Sequence, residues 1–279
     1  MKKSLLILLA LVTCGSAYAF VDGDVDGDGA VTIGDVNALY NYILDDDISA
    51  LVNGDVDCDG HITSADVTYV YNILLGITAS HEDVDLGLPS GTLWATTNVG
   101  AENPEDYGDY FAWGETSSKD VYKWDNYQWS NGTRFNKLIK YCNNSSYGYN
   151  GFVDGITELE TEDDAATANW GSPWCMPTDE QLNELLTHCN WQWTTRNGVN
   201  GYKLTSKHNG ATMFLPAAGY HFGDQLYSTG TIAYFWSRLA NPTKCYQAYY
   251  LWFHSQGNKG VEYGDRDSGF SVRAVRVSQ

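Results

Sequence analysis

The chain has 279 residues and a formal net charge of −19 at pH 7, with 35 acidic residues against 16 lysines and arginines. Such an acidic protein is a poor partner for nucleic acid or for an anionic membrane surface. The length suits either one large domain or a small and a medium one. The charge is uneven, because residues 20–77 contain twelve aspartates and no lysine or arginine.

Residues 1–19 have the pattern of an export signal. Two lysines near the start are followed by an apolar run, and residues 17–19 provide a small-x-small cleavage site. The apolar run is too short to span a bilayer, and we predict no membrane span elsewhere. We therefore predict a secreted, extracellular protein that is cleaved before Phe20, with lipid attachment through Cys14 as the alternative.

Two acidic loops follow in the same register. The first starts at Asp24, has carboxylates at loop positions 1, 3, 5 and 12, and has Gly29 at position 6, where an EF-hand-type loop turns sharply. The pattern returns from Asp55. Ca²⁺ takes several hard oxygen ligands, so short acidic side chains at alternate positions suit it. We predict two Ca²⁺ sites, with a backbone carbonyl at position 7 and a hydroxyl or water at position 9. The predicted ligands are Asp24, Asp26, Asp28, Ala30, Thr32 and Asp35 in the first loop, and Asp55, Asp57, Asp59, His61, Thr63 and Asp66 in the second.

Each loop is followed by an apolar pattern with helical spacing. The residues at i, i+3, i+4 and i+7 are Val36, Leu39, Tyr40 and Ile43 after the first loop, and Val67, Val70, Tyr71 and Leu74 after the second. Val31 and Ile62, at position 8 of each loop, could pair the loops back to back. We expect the second helix to end at Gly76. Little apolar sequence precedes either loop, so the incoming helix of an ordinary EF-hand is not predicted.

These features resemble a type I dockerin, the duplicated calcium-binding module that binds cohesin domains. The resemblance covers about residues 22–77 and includes aspartate at position 12 of both loops, where an ordinary EF-hand has glutamate. It implies a small all-α domain built from two loop–helix units, the F-hand pair, and a cohesin-like partner.

The resemblance also implies where that partner binds, namely loop positions 10 and 11 and the helix after them. Positions 10 and 11 differ between the repeats, which predicts one preferred orientation of the partner. Tyr40 and Tyr71 are either interface anchors or residues packed within the helix pair. The predicted partner residues are Ile33, Gly34, Tyr40, Asn41, Ser64, Ala65, Tyr71 and Asn72.

The composition changes after a short polar linker at residues 79–82. Aromatic residues and glycines become frequent, and short segments bounded by turn residues predict strands. We therefore predict an α+β chain, with a small helical domain at residues 20–78 and a mainly β domain at residues 83–279. The clearest predicted strands begin at Tyr202, Thr212 and Tyr249.

One helix is predicted in the larger domain. Thr178 as N-cap and Gln181 at the third helical position form a capping box, and leucines between residues 182 and 186 give an apolar face. Residues 115–154 have few strand signals and are rich in Tyr, Asn and Gly, which predicts a long insertion.

Several sequence segments of the larger domain are similar to the Fibrobacter succinogenes major paralogous (FISUMP) domain. These segments are residues 84–95, 107–115, 174–178, 214–219 and 269–273. That family resembles the formylglycine-generating-enzyme type of C-type-lectin-like fold. The resemblance implies a C-type-lectin-like fold over about residues 83–278. The family has no settled activity, so a binding face for a glycan or a cell-surface ligand is a separate hypothesis.

No catalytic residue or organic cofactor is predicted. The sequence lacks a Ser-His-Asp order, a phosphate loop and H-E-x-x-H. Formylglycine-generating enzymes carry a reactive cysteine in a segment that here has Val272, which supplies no thiolate. The carboxylates that could serve a glycoside hydrolase are predicted to lie in an exposed acidic run. They are Glu158, Glu160, Asp163 and Asp164.

Other residues of this domain have structural interpretations. Trp94, Trp113 and Trp236 are predicted to fill the core, and Arg273 could form a buried pair with Glu115. Four cysteines allow three disulfide pairings that the sequence does not rank. They are Cys142, Cys175, Cys189 and Cys245.

These observations favour a secreted, calcium-binding, non-catalytic protein, in which the dockerin-like module mediates protein–protein docking and the lectin-like domain displays a binding surface. One alternative is an extracellular polysaccharide-associated enzyme that is tethered by its dockerin. The other is a structural protein whose dockerin packs on its own second domain.

Overall fold

The structure, a computed structural model, describes residues 23–45, 47–56, 62–75 and 81–277. The chain divides into two compact units, one within residues 1–78 and the other within residues 79–278. The predicted export signal with Cys14, residues 57–61 of the second acidic loop, and Gly76 lie outside the described residues. Among the described residues, no helix is long and apolar enough to cross a membrane.

The first unit contains two helices, α1 (Ile33–Asp45) and α2 (Ser64–Leu74). Each helix starts inside an acidic loop, at loop position 10. Its first turn carries the aspartate of position 12, which is Asp35 in α1 and Asp66 in α2. A carboxylate is favoured there because the first turn of a helix carries a partial positive charge.

The core of the first unit is small and is formed by matching positions of the two repeats. The predicted helical stripe is only half right, because Val36, Leu39, Val67 and Val70 are buried while the residues at i+4 and i+7 are exposed. In the part of the first unit that the structure describes, each helix has one neighbouring helix to cover it and therefore buries a narrow stripe. The position-8 residues pack against this core. The cluster contains Val25, Val36, Ala38, Leu39, Val56, Val67 and Val70, with Val31, Leu51, Ile62 and Tyr69 partly buried against it.

The second unit is largely β, as predicted, and its strands form several small antiparallel sheets. Three sheets have three strands, in the orders β1-β2-β11, β3-β4-β5 and β8-β9-β10, and β6 pairs with β7. The strands are β1 (Asp83–Asp85), β2 (Thr92–Ala95), β3 (Cys189–Arg196), β4 (Val199–Ser206), β5 (Thr212–Pro216), β6 (Tyr220–Phe222), β7 (Gln225–Tyr227), β8 (Ile232–Ala240), β9 (Gln247–His254), β10 (Lys259–Asp265) and β11 (Val275–Val277). The three strands predicted from sequence are β4, β5 and β9.

The beginning and the end of the second unit meet in one sheet. Trp94 of β2 lies opposite Val84 of β1 on one side and Val275 of β11 on the other. Trp94, Trp113 and Trp236 are fully buried, which confirms the prediction that they fill the core.

Two α-helices complete the second unit, α3 (Ala165–Trp170) and α4 (Asp179–His188). The predicted capping box at the start of α4 is confirmed. The Thr178 hydroxyl accepts a hydrogen bond from the Gln181 amide at 3.2 Å, and the Gln181 side chain accepts one from the Thr178 amide at 2.8 Å. These contacts satisfy two of the amide groups that the first helical turn leaves free.

The segment at residues 115–154 contains no strand, as predicted, but it packs into the core of the second unit. Tyr127 and Tyr141 are buried, and both contact the buried Arg266. The Arg266 guanidinium also lies over Trp113, with 4.5 Å between its central carbon and the ring centroid. A buried cation is costly unless it is hydrogen bonded, so Arg266 fixes this irregular segment against the rest of the unit.

The predicted pair of Arg273 with Glu115 is wrong. Arg273 is buried and donates to the Asn98 side chain at 2.8 Å and to the backbone carbonyls of Ala95 and Phe214 at 3.0 and 3.1 Å. Glu115 instead forms an ion pair with Lys119, with 2.6 Å between the charged atoms. Burial lowers the pKa of Arg273 to about 9. The sequence spacing of the two charges could not show which of them the fold brings together.

Candidate functional site

The first acidic loop brings three carboxylates together. Asp24, Asp26 and Asp28 each offer one oxygen atom, and these three atoms all lie within 4.8 Å of one another. Gly29 at position 6 has a φ of +89°, a left-handed conformation that glycine adopts without steric cost. The sharp turn predicted at this position is therefore present.

Backbone amides inside the loop orient these carboxylates. The Asp24 carboxylate accepts hydrogen bonds from the amides of Gly27 and Gly29, at 2.8 and 3.0 Å. Asp26 and Asp28 each accept one from the amide two residues further on, at 3.1 and 2.8 Å. Desolvation and the nearby negative charges of Asp35, Asp28 and Asp24 raise the pKa of Asp26. The loop thus concentrates negative charge that a cation would neutralise.

Asp35, at position 12, ties the two ends of the first loop together. It is fully buried, and one of its oxygen atoms accepts hydrogen bonds from the amides of Val25 and Asp26 at 2.7 and 3.1 Å. The other oxygen accepts one from the amide of Thr32 at 2.7 Å. Since Asp35 also belongs to the first turn of α1, the loop and the helix share one anchoring side chain.

The second loop repeats this arrangement 31 residues later, at every position that the structure describes. Asp66 is fully buried and accepts hydrogen bonds from the amides of Val56 and Thr63, at 2.9 and 2.8 Å. Asp55, at position 1, is half-buried. The predicted ligands Asp57, Asp59 and His61 lie outside the described residues. Asp35 and Asp66 therefore make matching contacts with the backbone amides at positions 2 and 9 of their loops.

The residues present fit Ca²⁺. The first loop provides three clustered carboxylates and a fourth at position 12, and carboxylate oxygens are the ligands that Ca²⁺ prefers. A carboxylate has about four lone-pair sites, so the amide contacts leave Asp35 able to accept further. The Thr32 hydroxyl, at loop position 9, accepts a hydrogen bond from the Gly34 amide at 2.9 Å, and this contact orients the hydroxyl oxygen. Ala30 at position 7 is exposed, and its carbonyl remains a predicted ligand.

The outer faces of α1 and α2 present apolar side chains at matching positions. Tyr40 and Tyr71 are 41% and 36% exposed, so part of each ring lies on the surface, and their role as interface anchors stays a prediction. Of the position-10 residues, Ile33 is 56% exposed and Ser64 is also exposed. Asn41 is exposed, while Gly34 and Asn72 are half-buried.

Four members of this surface do not follow from the helical spacing in the sequence. Ile43 and Leu74 belong to the apolar stripe and Leu44 and Leu75 lie beside it, yet all four are exposed. The signal was present in the 31-residue repeat, because Ile43 and Leu44 correspond to Leu74 and Leu75. We call the exposed apolar residues of α1 and α2, together with Leu75 directly after α2, the apolar edge. It consists of Ile33, Tyr40, Ile43, Leu44, Tyr71, Leu74 and Leu75.

The acidic run in the second unit is not simply exposed, contrary to the prediction. Asp163 and Asp164 are buried. Asp163 accepts hydrogen bonds from Lys140, at 2.7 Å, and from a tyrosine hydroxyl. Asp164 caps the start of α3, accepting from three backbone amides in all, and burial raises its pKa. Glu158 and Glu160 form ion pairs with Arg238 and Lys140. Each of these four carboxylates therefore has a partner in the fold.

Comparison with known proteins identifies one part of the chain. Residues 22–75 match the family model of the dockerin type I domain, a segment that contains both acidic loops and both helices of the first unit. No curated protein and no solved structure matches the chain. The chain therefore carries, at residues 22–75, a type I dockerin domain, which indicates calcium binding and protein–protein docking.

Proposed function

We propose that this protein is a secreted, non-catalytic docking protein, whose first unit binds two Ca²⁺ ions and then binds a cohesin-like partner through the apolar edge. The observation that carries the proposal is the repeated apolar edge on two helices that each begin in an acidic loop. Apolar side chains exposed at matching positions on so small a unit are typical of an interaction surface.

Calcium and docking are linked through the position-12 aspartates. Asp35 and Asp66 bind loop amides and also stand in the first turns of α1 and α2. A bound Ca²⁺ would supply positive charge to the clustered carboxylates and hold the loop in place. Order in the loop then fixes where each helix begins, and so fixes the apolar edge. Docking is therefore expected to require calcium.

The two repeats present similar but unequal surfaces. Tyr40 and Tyr71 are equivalent, whereas exposed Ile33 is matched by the small, polar Ser64. Apolar surface buried at the centre of an interface contributes more binding free energy than a small hydroxyl group does. We therefore expect the partner to dock in an orientation that uses Ile33.

For the second unit, we propose a C-type-lectin-like fold of the FISUMP type that displays a binding face for a glycan or a cell-surface ligand. Its several small sheets and its irregular, packed insertion support this proposal. The five sequence segments that are similar to the FISUMP family also support it. Val272 is fully buried at the position where formylglycine-generating enzymes carry a reactive cysteine, which argues against that oxidase chemistry. Hydrolysis of a polysaccharide by the purified protein would contradict the non-catalytic part of the proposal.

The docking proposal is tested by measuring binding of the full chain to a panel of type I cohesin domains, with Ca²⁺ and with chelator. We expect the chain to bind a cohesin only when Ca²⁺ is present. Ile33→Asp should weaken it by at least about tenfold, and Ser64→Asp by less than about threefold. Tyr263→Ala is the matched control, because Tyr263 is an exposed tyrosine of the second unit.

Three outcomes would contradict the docking proposal. Cohesin binding that persists in the presence of chelator would show that docking does not require calcium. Equal losses from the two aspartate variants would remove the preferred orientation. Bound Ca²⁺ without binding to any cohesin would favour a structural role for the dockerin within its own chain.

A further inference from the structure

Two cysteines that are far apart in the sequence meet in the core of the second unit. The sulfur atoms of Cys142 and Cys245 lie 3.1 Å apart, although 103 residues separate them in the sequence. Both side chains are fully buried. The other two cysteines of this unit, Cys175 and Cys189, are free and make no sulfur–sulfur contact among the described residues. The contact thus points to a single bond, between Cys142 and Cys245, and not to a complete pairing of all four cysteines.

The backbone on both sides of this contact is held by groups other than sulfur. One nitrogen of Arg266 donates to the Tyr141 carbonyl at 3.0 Å and to the Cys245 carbonyl at 2.8 Å, so a single guanidinium joins the two segments that carry the cysteines. The Asp154 carboxylate accepts from the amides of Tyr141 and Cys142, at 2.6 and 2.8 Å.

A second link lies close by, where the Asn143 side chain donates to the Pro242 carbonyl at 2.7 Å. The fold therefore presents the two thiols to each other at fixed positions, and this lowers the entropy cost of joining them.

We propose that Cys142 and Cys245 form a disulfide bond that joins the irregular insertion to the segment between β8 and β9. Each thiol loses one hydrogen, and one sulfur–sulfur bond forms. The two electrons and two protons pass to a disulfide-bearing donor, which is reduced to two thiols through a mixed-disulfide intermediate. The proposed export would expose the chain to such donors, since disulfides form and persist in oxidising compartments.

The cross-link would matter most for the insertion, which has no strand to hold it. A disulfide that closes a loop of about 100 residues is among the more stabilising kinds, because it restricts the unfolded chain most. Loss of the bond should lower the Tm of the second unit by roughly 5 to 15 °C.

The test is to refold the full chain from denaturant in a buffer of reduced and oxidised glutathione, alkylate the free thiols, and map the peptides without reduction. We expect one peptide that joins Cys142 to Cys245, with Cys175 and Cys189 alkylated. Finding both Cys142 and Cys245 alkylated, or either joined to another cysteine, would overturn the proposal. Because refolding uses a supplied disulfide donor, the result does not depend on whether the protein is secreted.

A second measurement covers the case in which refolding fails. The exported full chain is melted with and without reductant. Reductant should lower the Tm of the wild type and of Cys189→Ala, a buried cysteine that keeps the proposed pair. It should have no effect on the Cys142→Ala/Cys245→Ala double variant. An equal response in all three proteins would contradict the bond.

Discussion

The two units of this chain achieve stability in different ways. Within its described residues, the first has a core of seven small or medium apolar side chains, a cluster of carboxylates, and an exposed apolar edge. The second has three buried clusters rich in aromatic residues, two buried arginines that bind backbone carbonyls, and short sheets joined by well-packed loops. A unit as small as the first buries too little apolar surface to be stable without further support.

The difference suggests a division of roles. Under the proposed function, the stability of the first unit is linked to a ligand, because a cation that binds the folded loops would add free energy by mass action. Stability of the second unit is supplied by its own packing and polar contacts. The first unit is thus suited to calcium-dependent docking, and the second to holding a fixed surface. Each of the following changes would sharpen this contrast or remove it.

The largest effect is expected in the second unit, at Arg273. Arg273→Ala leaves the carbonyl oxygens of Ala95 and Phe214 and the Asn98 side chain without their donor, and opens a cavity. We expect the free energy of unfolding of the second unit to fall by about 3 to 5 kcal/mol. Chemical denaturation measures it. Arg134→Ala is the control, because the Arg134 side chain is exposed, and it should cost less than about 1 kcal/mol. Equal losses would show that the buried arginine has no special part in this unit.

In the first unit, the corresponding change is Asp35→Ala. It removes the acceptor for three loop amides and one proposed calcium ligand. We expect the first unit to lose about 2 to 4 kcal/mol, without any change in the second. The change in thermal unfolding is followed by calorimetry. Asp45→Ala is the matched control at the other end of α1, where a negative charge is unfavourable, so it should be neutral or slightly stabilising. A loss from Asp45→Ala as large as that from Asp35→Ala would argue against a special role for position 12.

A smaller, pH-dependent effect is expected at Asp267 in the second unit. Burial, followed by the charge of Asp265, raises the pKa of Asp267 to about 7, and one of its oxygen atoms has no hydrogen-bond partner. Because the folded-state pKa exceeds that of the unfolded chain, this group's stabilising contribution is complete below about pH 4 and is lost as the pH rises through 7. Asp267→Asn should therefore stabilise the second unit at pH 8 by on the order of 2 kcal/mol, and much less at pH 4.

Denaturant melts of wild type and variant at both pH values check the prediction for Asp267. Exposed Asp125→Asn is the control and should show no such difference. If Asp267→Asn stabilises the second unit equally at both pH values, the effect does not arise from ionisation of the Asp267 carboxyl group, and the prediction is wrong.

What the sequence predicts well in this chain is local. The turn and the carboxylate cluster of the first acidic loop are defined by spacings within twelve residues, and the capping box at α4 by a spacing of three. What it predicts poorly depends on distant neighbours. The periodicity after the first loop could not show that α1 has one helical neighbour and leaves Tyr40 and Ile43 exposed. The positive charge of Arg273 could not show that its guanidinium binds backbone carbonyls. The number of cysteines could not show that Cys142 contacts Cys245, which is 103 residues away in the sequence.

The central claim is that the two acidic loops bind calcium, and titration calorimetry on the full chain tests it most directly. We predict a stoichiometry near two for the wild type. Asp24→Ala in the first loop and Asp55→Ala in the second should each reduce it to near one, because each variant removes the position-1 ligand of a single loop. Asp224→Ala, an exposed acid of the second unit, should leave it unchanged. No binding heat, or a stoichiometry that neither loop variant alters, would contradict the account.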